Sequence, residues 1–325
     1  MRAVVLRSYG GPEVLTIEDV PDPAFGAEEI LVEVAATALN RADVLQRMGL
    51  YAPPVRLPLE IPGLEYSGTV AAVGERVTMW HPGDRVMGIV SGGAYAERLC
   101  VHERQAMAVP DGLDLHDAAA IPEVFLTAWD ALVLQGSLTS GRWALVHAGA
   151  SGVGTAAIQL AKALGASVAV TCSAGKMDRC RALGADLVLE RSPHDWLADL
   201  QAALPGGVHT VLDVVGGDEV DRNIAAVAVQ GRIVQVGVMA GGRTTVNIGA
   251  LLPKRASLTG TVLRARPLEE KISVTRRFAA EVLPLFAAGR LVPVIDCRVR
   301  LEEVSDGHVV MESNLNVGKV LVTVA

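Results

Sequence analysis

The spacing of hydrophobic positions changes character near residue 120. Before it, short apolar segments at 3–6, 30–36, 66–73, 84–89 and 93–101 are separated by glycine, proline and acidic turns. They predict a compact, mostly antiparallel β-rich domain. Helical spacing in this part is confined to Arg41–Met48. After Pro122, strand-like runs at 143–147, 167–171, 186–189, 208–214, 230–236 and 256–262 alternate with helical segments at 153–164, 176–183, 195–203 and 218–228. Alternation of this kind predicts a doubly wound parallel sheet, covered on both faces by right-handed crossovers. A long helical segment over 269–288 follows, then a strand at 293–299, a helix at 301–312 and a strand at 317–324. This tail is expected to return to the first domain, which makes the doubly wound domain an insertion.

Composition narrows the class. With 325 residues, of which 50% are hydrophobic and 20% charged, the chain can bury a large core and form about two domains. The net charge is −7, no basic cluster occurs, and 4% of residues are aromatic, so nucleic acid and anionic membranes are poor partners. No apolar run approaches the ~20 residues that span a bilayer, and the first eight residues lack the apolar length of a signal peptide. Cys100, Cys172, Cys180 and Cys297 show neither metal-ligand nor disulfide spacing. Reduced thiols and a cytoplasmic location are expected.

The chemistry starts at the turn between the runs 143–147 and 153–164. A glycine-rich turn between a strand and a helix brings backbone N–H groups to a pyrophosphate at the helix's positive end. Gly149 suits the tight turn and Gly154 the close packing of helix on strand, while Ser151 stands where a second glycine is usual, followed by Gly152. The second strand ends at Thr171-Cys172-Ser173, and the next acid is Asp178. A ribose-binding carboxylate is therefore missing, which predicts NADP rather than NAD. Ser173 and Lys176 are candidates for its 2′-phosphate, and Arg191 for the phosphate or the adenine face. Gly237 and Val238, at the end of the fifth strand, are expected beside the nicotinamide half.

In the first domain, three polar residues stand out: Asn40 at the head of the short helix, Tyr51 before two prolines, and Glu65 in Pro-Gly-Leu-Glu-Tyr-Ser-Gly. Each also has a purely structural reading, as an N-cap, a loop aromatic and a partnered turn acid. Asn316, in Asn-Val-Gly-Lys before the last strand, is placed near the site or, alternatively, in a turn.

These residues together resemble the zinc-independent quinone oxidoreductases of the zeta-crystallin-like branch of the medium-chain dehydrogenase/reductase superfamily. The resemblance runs the whole length: Asn-Arg-Ala-Asp at 40–43, Tyr51, Pro-Gly-Leu-Glu-Tyr-Ser-Gly at 62–68, Thr127-Ala-Trp, His147-Ala-Gly-Ala-Ser-Gly-Val-Gly154, Lys254-Arg255, Leu263-Arg-Ala-Arg266 and Asn316-Val-Gly-Lys-Val320. It implies a GroES-like catalytic domain (1–120 and 266–325) and a Rossmann domain (121–265). It implies NADPH as hydride donor, a quinone or enone as small-molecule substrate, and a homodimer through the strand near Thr259–Leu263. Asn40 and Tyr51 would serve the substrate. Thr127, Ser151, Gly152, Val153, Leu263 and Asn316 would line the cofactor, with Ser173 and Lys176 at its phosphate. Two features depart from the family: a short loop over 171–176, and Arg191 where a tyrosine is common.

Zinc-using relatives carry cysteine and histidine where this chain has Asn40 and Leu64, so no metal is expected. Without a Lewis acid to hold an alkoxide, the acceptor should delocalise charge itself, as a quinone does. Two other readings share these residues: an enoyl or enone reductase, and a non-catalytic NADPH-binding protein.

Overall fold

The chain forms two compact units in a computed structural model that describes residues 1–54, 59–192 and 195–324. One unit comprises Met1–Leu126 with Leu263–Ala325, the other Thr127–Val262.

The first unit is built around β3 (Glu29–Ala38), whose Ile30, Val32 and Val34 are all buried. It pairs antiparallel with β4 (Glu65–Val73), β6 (Arg98–His102) and β15 (Lys319–Thr323). The sheet continues through β4 to β5 (Arg85–Ile89) and β7 (Met107–Ala108), and through β15 to β14 (Ile295–Arg300). Gly68 permits the close approach of β3 and β4, since a Cβ there would lie 2.1 Å from the Glu33 carbonyl oxygen. A separate hairpin joins β1 (Arg2–Leu6) to β2 (Leu15–Asp19). Helices α1 (Arg41–Arg47), α8 (Leu268–Glu281), α9 (Leu283–Ala287) and α10 (Val304–Ser313) complete the unit. The last strand thus lies inside a sheet begun in the first forty residues.

The second unit is a six-stranded, wholly parallel sheet. In chain order its strands are β8 (Trp143–Val146), β9 (Ser167–Cys172), β10 (Leu187–Glu190), β11 (Val208–Asp213), β12 (Val227–Gln235) and β13 (Ser257–Gly260). Their spatial order is β10-β9-β8-β11-β12-β13, the doubly wound 3-2-1-4-5-6 arrangement. Strand order reverses between β8 and β11, and ligands of such sheets bind outside the carboxyl ends at that point. The covering helices are α3 (Gly152–Ala163), α4 (Met177–Ala182), α5 (Trp196–Ala203), α6 (Glu219–Ala226) and α7 (Leu251–Lys254).

Several elements depart from the sequence reading. The division between units falls inside α2 (Pro122–Trp129), which continues as a π-helical stretch over Asp130–Gln135. This helix went unread because Phe125, Leu126, Ala128, Trp129, Ala131 and Leu132 are all buried, and a helix apolar around its circumference shows no periodicity. The segment 269–288 breaks between α8 and α9 because Pro284 has no N–H to continue a helix. The run 93–101 becomes a strand only from Arg98, and β2 and β7 are strands the pattern did not mark. Strand β12 starts at Val227, where helix was expected, and takes up a register shift around Gln230, whose φ is +62°. No described helix is long and apolar enough to cross a membrane.

The turn from β8 to α3 is sterically closed. A Cβ on Gly149 would sit 2.6 Å from the Val170 Cβ, and one on Gly154 only 2.3 Å from the Ala148 carbonyl oxygen. Backbone at both contacts of Gly154 leaves nothing flexible to yield. Gly154→Ala should therefore lower the thermal unfolding midpoint, by about 1–3 kcal/mol of stability. Gly206, with open space around it, is the matched control: Gly206→Ala should be neutral or stabilising by about 0.4–1 kcal/mol. Equal midpoints for the two variants in a circular-dichroism melt would overturn this account.

Candidate functional site

In the second unit the nucleotide turn is held from beneath by a buried polar network. Asn223 donates from Nδ2 to Asp213 Oδ2 (2.9 Å), so its Oδ1 faces His147 Nε2 at 2.7 Å. Nε2 is then the donor, and Nδ1 pairs with the Thr171 hydroxyl at 2.9 Å. Trp196 meets the imidazole edge to face at 5.0 Å, and its indole N–H donates to Glu219 (2.9 Å). Four polar side chains thus tie the carboxyl ends of β8, β9 and β11 to α6.

Each end carries a loop set by that network. Gly149 donates its N–H to the Thr171 carbonyl (2.9 Å), and Ala148 takes a left-handed φ of +53°. Ser151 is the N-cap of α3: its hydroxyl accepts from the Gly154 N–H at 3.1 Å. Gly152 and Val153 open the helix, and its first turn carries no acid to compete for an anion. Asp213 Oδ1 accepts from the N–H groups of Val215 (2.6 Å) and Gly216 (3.0 Å), and its carbonyl accepts from Val236 (2.7 Å). This places Gly237 and the exposed Val238 at the end of β12.

The three residues expected at a 2′-phosphate share one place. Ser173 directly follows β9 and is exposed, and Lys176 ends the short 3₁₀ turn Ala174–Lys176. Arg191 follows β10 and donates its backbone N–H to the Cys172 carbonyl at 2.9 Å. Asp178 stands on α4, ion-paired to Arg181 at 2.7 Å. Thr127 is buried in α2.

The first unit holds a second polar cluster. Asn40 precedes α1, with its backbone N–H donating to Asp43 Oδ2 at 2.8 Å. Its side chain turns inward: Nδ2 donates to the Ala38 carbonyl (3.1 Å) and Glu65 Oε1 (2.9 Å), and Oδ1 accepts from Lys319 (2.7 Å). Both amide hydrogens are engaged within the protein. The amide expected to serve the substrate is thus occupied by the Ala38 carbonyl and Glu65. Lys319, at the start of β15, also donates to the Leu39 carbonyl (2.6 Å) and lies 2.7 Å from Glu65 Oε1. Glu65 Oε2 accepts the backbone N–H of Glu123 at 2.8 Å.

Burial sets the remaining protonation states. It pushes Asp43 up to about 6, against the hydrogen bonds from Asn40 and from the Tyr95 hydroxyl (3.1 Å). Burial, then repulsion from Glu65, pushes Glu123 up to about 8. His308, 3.4 Å from the Tyr95 hydroxyl, is pulled down to about 3 by burial and by Arg47.

Tyr51 belongs to this unit too. The Arg264 guanidinium lies 5.0 Å from its ring centre and is itself held by the Ser91 carbonyl (2.8 Å) and Gln46 Oε1 (2.6 Å). Burial raises the phenol's pKa, with Arg264 opposing. No described side chain bonds the phenol oxygen. Leu263 is buried next to this arginine in sequence. Asn316 closes its own turn, donating to the Gly318 carbonyl at 2.9 Å.

Sequence reasoning missed Lys319 and Glu123. Lys319 lay inside the motif Asn316-Val-Gly-Lys-Val320, whereas Glu123 fell in none; the available signal was a charge next to an apolar residue. A zinc ion does not fit the residues present. Leu64 is buried hydrocarbon, Glu65 and Asn40 already hold the Lys319 ammonium, and no group of three metal-ligating side chains occurs among the described residues.

Comparison with known proteins agrees with this architecture. Residues 26–111 match the alcohol dehydrogenase GroES-like domain, and residues 152–280 match the zinc-binding dehydrogenase model. The synaptic vesicle membrane protein VAT-1 homolog of Rattus norvegicus is 30% identical over 338 residues, covering 99% of this chain and 83% of that protein. The quinone oxidoreductase of Lama guanicoe is 30% identical over 320 residues, covering 95% and 92%. Among solved structures, an NAD-dependent alcohol dehydrogenase superposes with a TM-score of 0.90 at 33% identity, covering 100% of both chains. The Escherichia coli quinone oxidoreductase complexed with NADPH superposes at 0.88 with 29% identity, again over 100% of both. The chain belongs to the quinone oxidoreductase-like branch of the medium-chain dehydrogenase/reductase superfamily.

Proposed function

We propose that this protein is an NADPH-dependent quinone reductase that works without zinc. The observation that carries the cofactor choice is the end of β9: Thr171-Cys172-Ser173 offers no carboxylate of its own, Lys176 follows it, and Arg191 follows the neighbouring β10. Similar structures point both ways, one described as NAD-dependent and one solved with NADPH. A hydroxyl and two cations side with the second, because they suit a 2′-phosphate and would leave a ribose diol without its usual acceptor.

Bound to the turn at Gly149, Ser151, Gly152, Val153 and Gly154, with Gly237 and Val238 toward its other end, the nucleotide supplies a hydride. Thr127, Leu263 and Asn316 remain in the reading as cofactor neighbours. This chain supplies orientation and hydrogen bonds. Tyr51, with its phenol kept protonated by burial, is the donor to the developing oxyanion. Arg264 fixes its ring. Asn40 acts one step back, anchored by Lys319 and Glu65. An acceptor that spreads the incoming charge over a conjugated ring needs no Lewis acid, which favours a quinone over a simple ketone.

The protein is read as a homodimer formed through β13, whose four residues are exposed at the sheet's edge. Four unpaired cysteines suit a reducing cytoplasm.

Two variants test this. Lys176→Ala should raise the Kd for NADPH by about tenfold or more, one charged hydrogen bond, and leave NADH within about twofold. Equal losses in fluorescence titrations of both nucleotides would remove Lys176 from the phosphate site. Tyr51→Phe should lower kcat for a para-quinone by roughly a hundredfold with NADPH affinity intact. Unchanged turnover would dismiss the phenol as donor, and preferential turnover of an enone over any quinone would redirect the substrate class.

A further inference from the structure

Two cations of the first unit meet at one serine and find no carboxylate there. Arg264 is 5% exposed. Its Nε donates to the Ser91 carbonyl (2.8 Å) and its Nη2 to Gln46 Oε1 (2.6 Å), with Nη1 3.5 Å from the Tyr51 carbonyl and the guanidinium carbon 5.0 Å from the centre of the Tyr51 ring. Lys271, in the first turn of α8, donates from Nζ to the Ser91 hydroxyl at 2.9 Å. That hydroxyl donates in turn to the Arg264 carbonyl (3.2 Å). All of these partners are neutral, and among the described residues neither cation forms an ion pair. The carboxylate bonded into this network is Glu60, which accepts from the far nitrogen of the Gln46 amide at 2.9 Å and from the Tyr9 hydroxyl at 3.1 Å. On α8 itself, Glu269 is paired with Arg104 at 3.0 Å and Glu270 is exposed.

The surrounding backbone adds donors rather than acceptors. Ser91 and Gly92 follow β5, and among the described residues neither N–H has an acceptor. A Cβ on Gly92 would lie 3.8 Å from Arg264 Nη2, so this backbone runs beside the guanidinium. Lys271 is half-buried and commits one of its three ammonium hydrogens to Ser91, leaving two without a partner among the described residues. Cations enclosed by neutral partners are costly to hold charged. Burial lowers the pKa of both, at Arg264 against the pull of Tyr51, Asp43, Glu123 and Glu60, and at Lys271 with no charged group opposing it. Neutral donors would fasten the loop at Ser91 equally well. Two uncompensated cations with unused N–H groups between them are instead the complement of an anion.

We propose that Ser91, Gly92 and Lys271 form an anion-binding subsite, and that the acceptor reduced by this enzyme carries a carboxylate. The Ser91 and Gly92 N–H groups and the free hydrogens of Lys271 supply the contacts; Arg264, almost enclosed, supplies charge. Because Arg264 also packs on Tyr51, the subsite adjoins the phenol that bonds the acceptor's oxygen. The substrate class is then an acidic quinone held at two points, its carbonyl oxygen by Tyr51 and its carboxylate by the subsite. The proposal rests on the reductase function given above for the reaction, whereas the subsite binds its anion without it.

Matched probes test this. A para-benzoquinone with a propanoate side chain and the corresponding propanamide share their ring chemistry and differ by one charge. With NADPH, kcat/KM for the propanoate should exceed that for the propanamide by about tenfold or more, one charged hydrogen bond. The ratio should fall to within about twofold in Lys271→Gln and recover in Lys271→Arg. A wild-type ratio within about twofold overturns the proposal, and so does a preference that survives in Lys271→Gln, because the carboxylate is then held elsewhere. Calorimetric titration of the cofactor-free protein with 3-(4-hydroxyphenyl)propanoate and its amide separates binding from chemistry. Binding of the acid tighter by about tenfold, and lost in Lys271→Gln, supports the subsite even where neither quinone is reduced, a result that would remove the reductase reading alone. Equal binding of acid and amide removes the subsite and leaves the reductase standing.

Discussion

The first unit depends on one buried ammonium. Lys319 directs its three hydrogens to the Leu39 carbonyl, Asn40 Oδ1 and Glu65 Oε1, tying the last strand of the chain to the end of β3, the head of α1 and the start of β4. The pair with Glu65 is almost wholly shielded from water, so loss of either partner would strand a buried charge at about 3–5 kcal/mol. The consequences spread outward. A fixed Asn40 fixes the N–H that holds Asp43, and Asp43 holds the Tyr95 hydroxyl. Burial drives Asp43 and Glu123 toward their neutral forms, and Lys319 opposes it at both.

The second unit reaches rigidity by a different route. His147, Thr171, Asn223 and Asp213 each use their hydrogen-bonding capacity on one another or on the backbone of the loops they support. No net charge has to be stabilised beyond Asp213, whose carboxylate receives two backbone N–H groups and the Asn223 amide. A network of this kind fixes backbone rather than reactivity. It holds the turn at Gly149 and the end of β12 in place, so that backbone N–H groups and a helix N-terminus can act as the anion-binding surface.

Much of this was legible in the sequence. Alternation of apolar runs with helical segments specified the parallel sheet, and the glycine spacing located the turn, because both follow from local geometry. Ser173, Lys176 and Arg191, singled out by the missing acid at Cys172-Ser173, follow the adjoining strands β9 and β10. Helix α2 was not legible: Val124, Phe125, Leu126, Ala128 and Trp129 are all buried, so its apolar positions show no period. Nor was the role of Lys319. Its motif drew attention to Asn316, but the amide of Asn316 closes a local turn, while the lysine three residues on points into the sheet and meets Glu65 across 254 positions of chain. Contacts between residues so distant leave no mark in spacing. The same holds for Glu123, whose proton affinity is raised first by burial and then by Glu65, a residue on another element.

Hydrogen-bond saturation also says where chemistry is free to happen. Asn40, Glu65 and Lys319 have their donors and acceptors committed to one another, which suits a scaffold and leaves them little to offer a ligand. Two groups of the same unit are not so committed: the Tyr51 phenol, held by its ring against Arg264, and the Glu123 carboxyl, held by its backbone against Glu65. Each is anchored at one end and open at the other. A group held at one end in this way has its orientation set before any ligand arrives. The saturated residues contribute by being committed: Glu65 fixes the head of α2 through the Glu123 N–H.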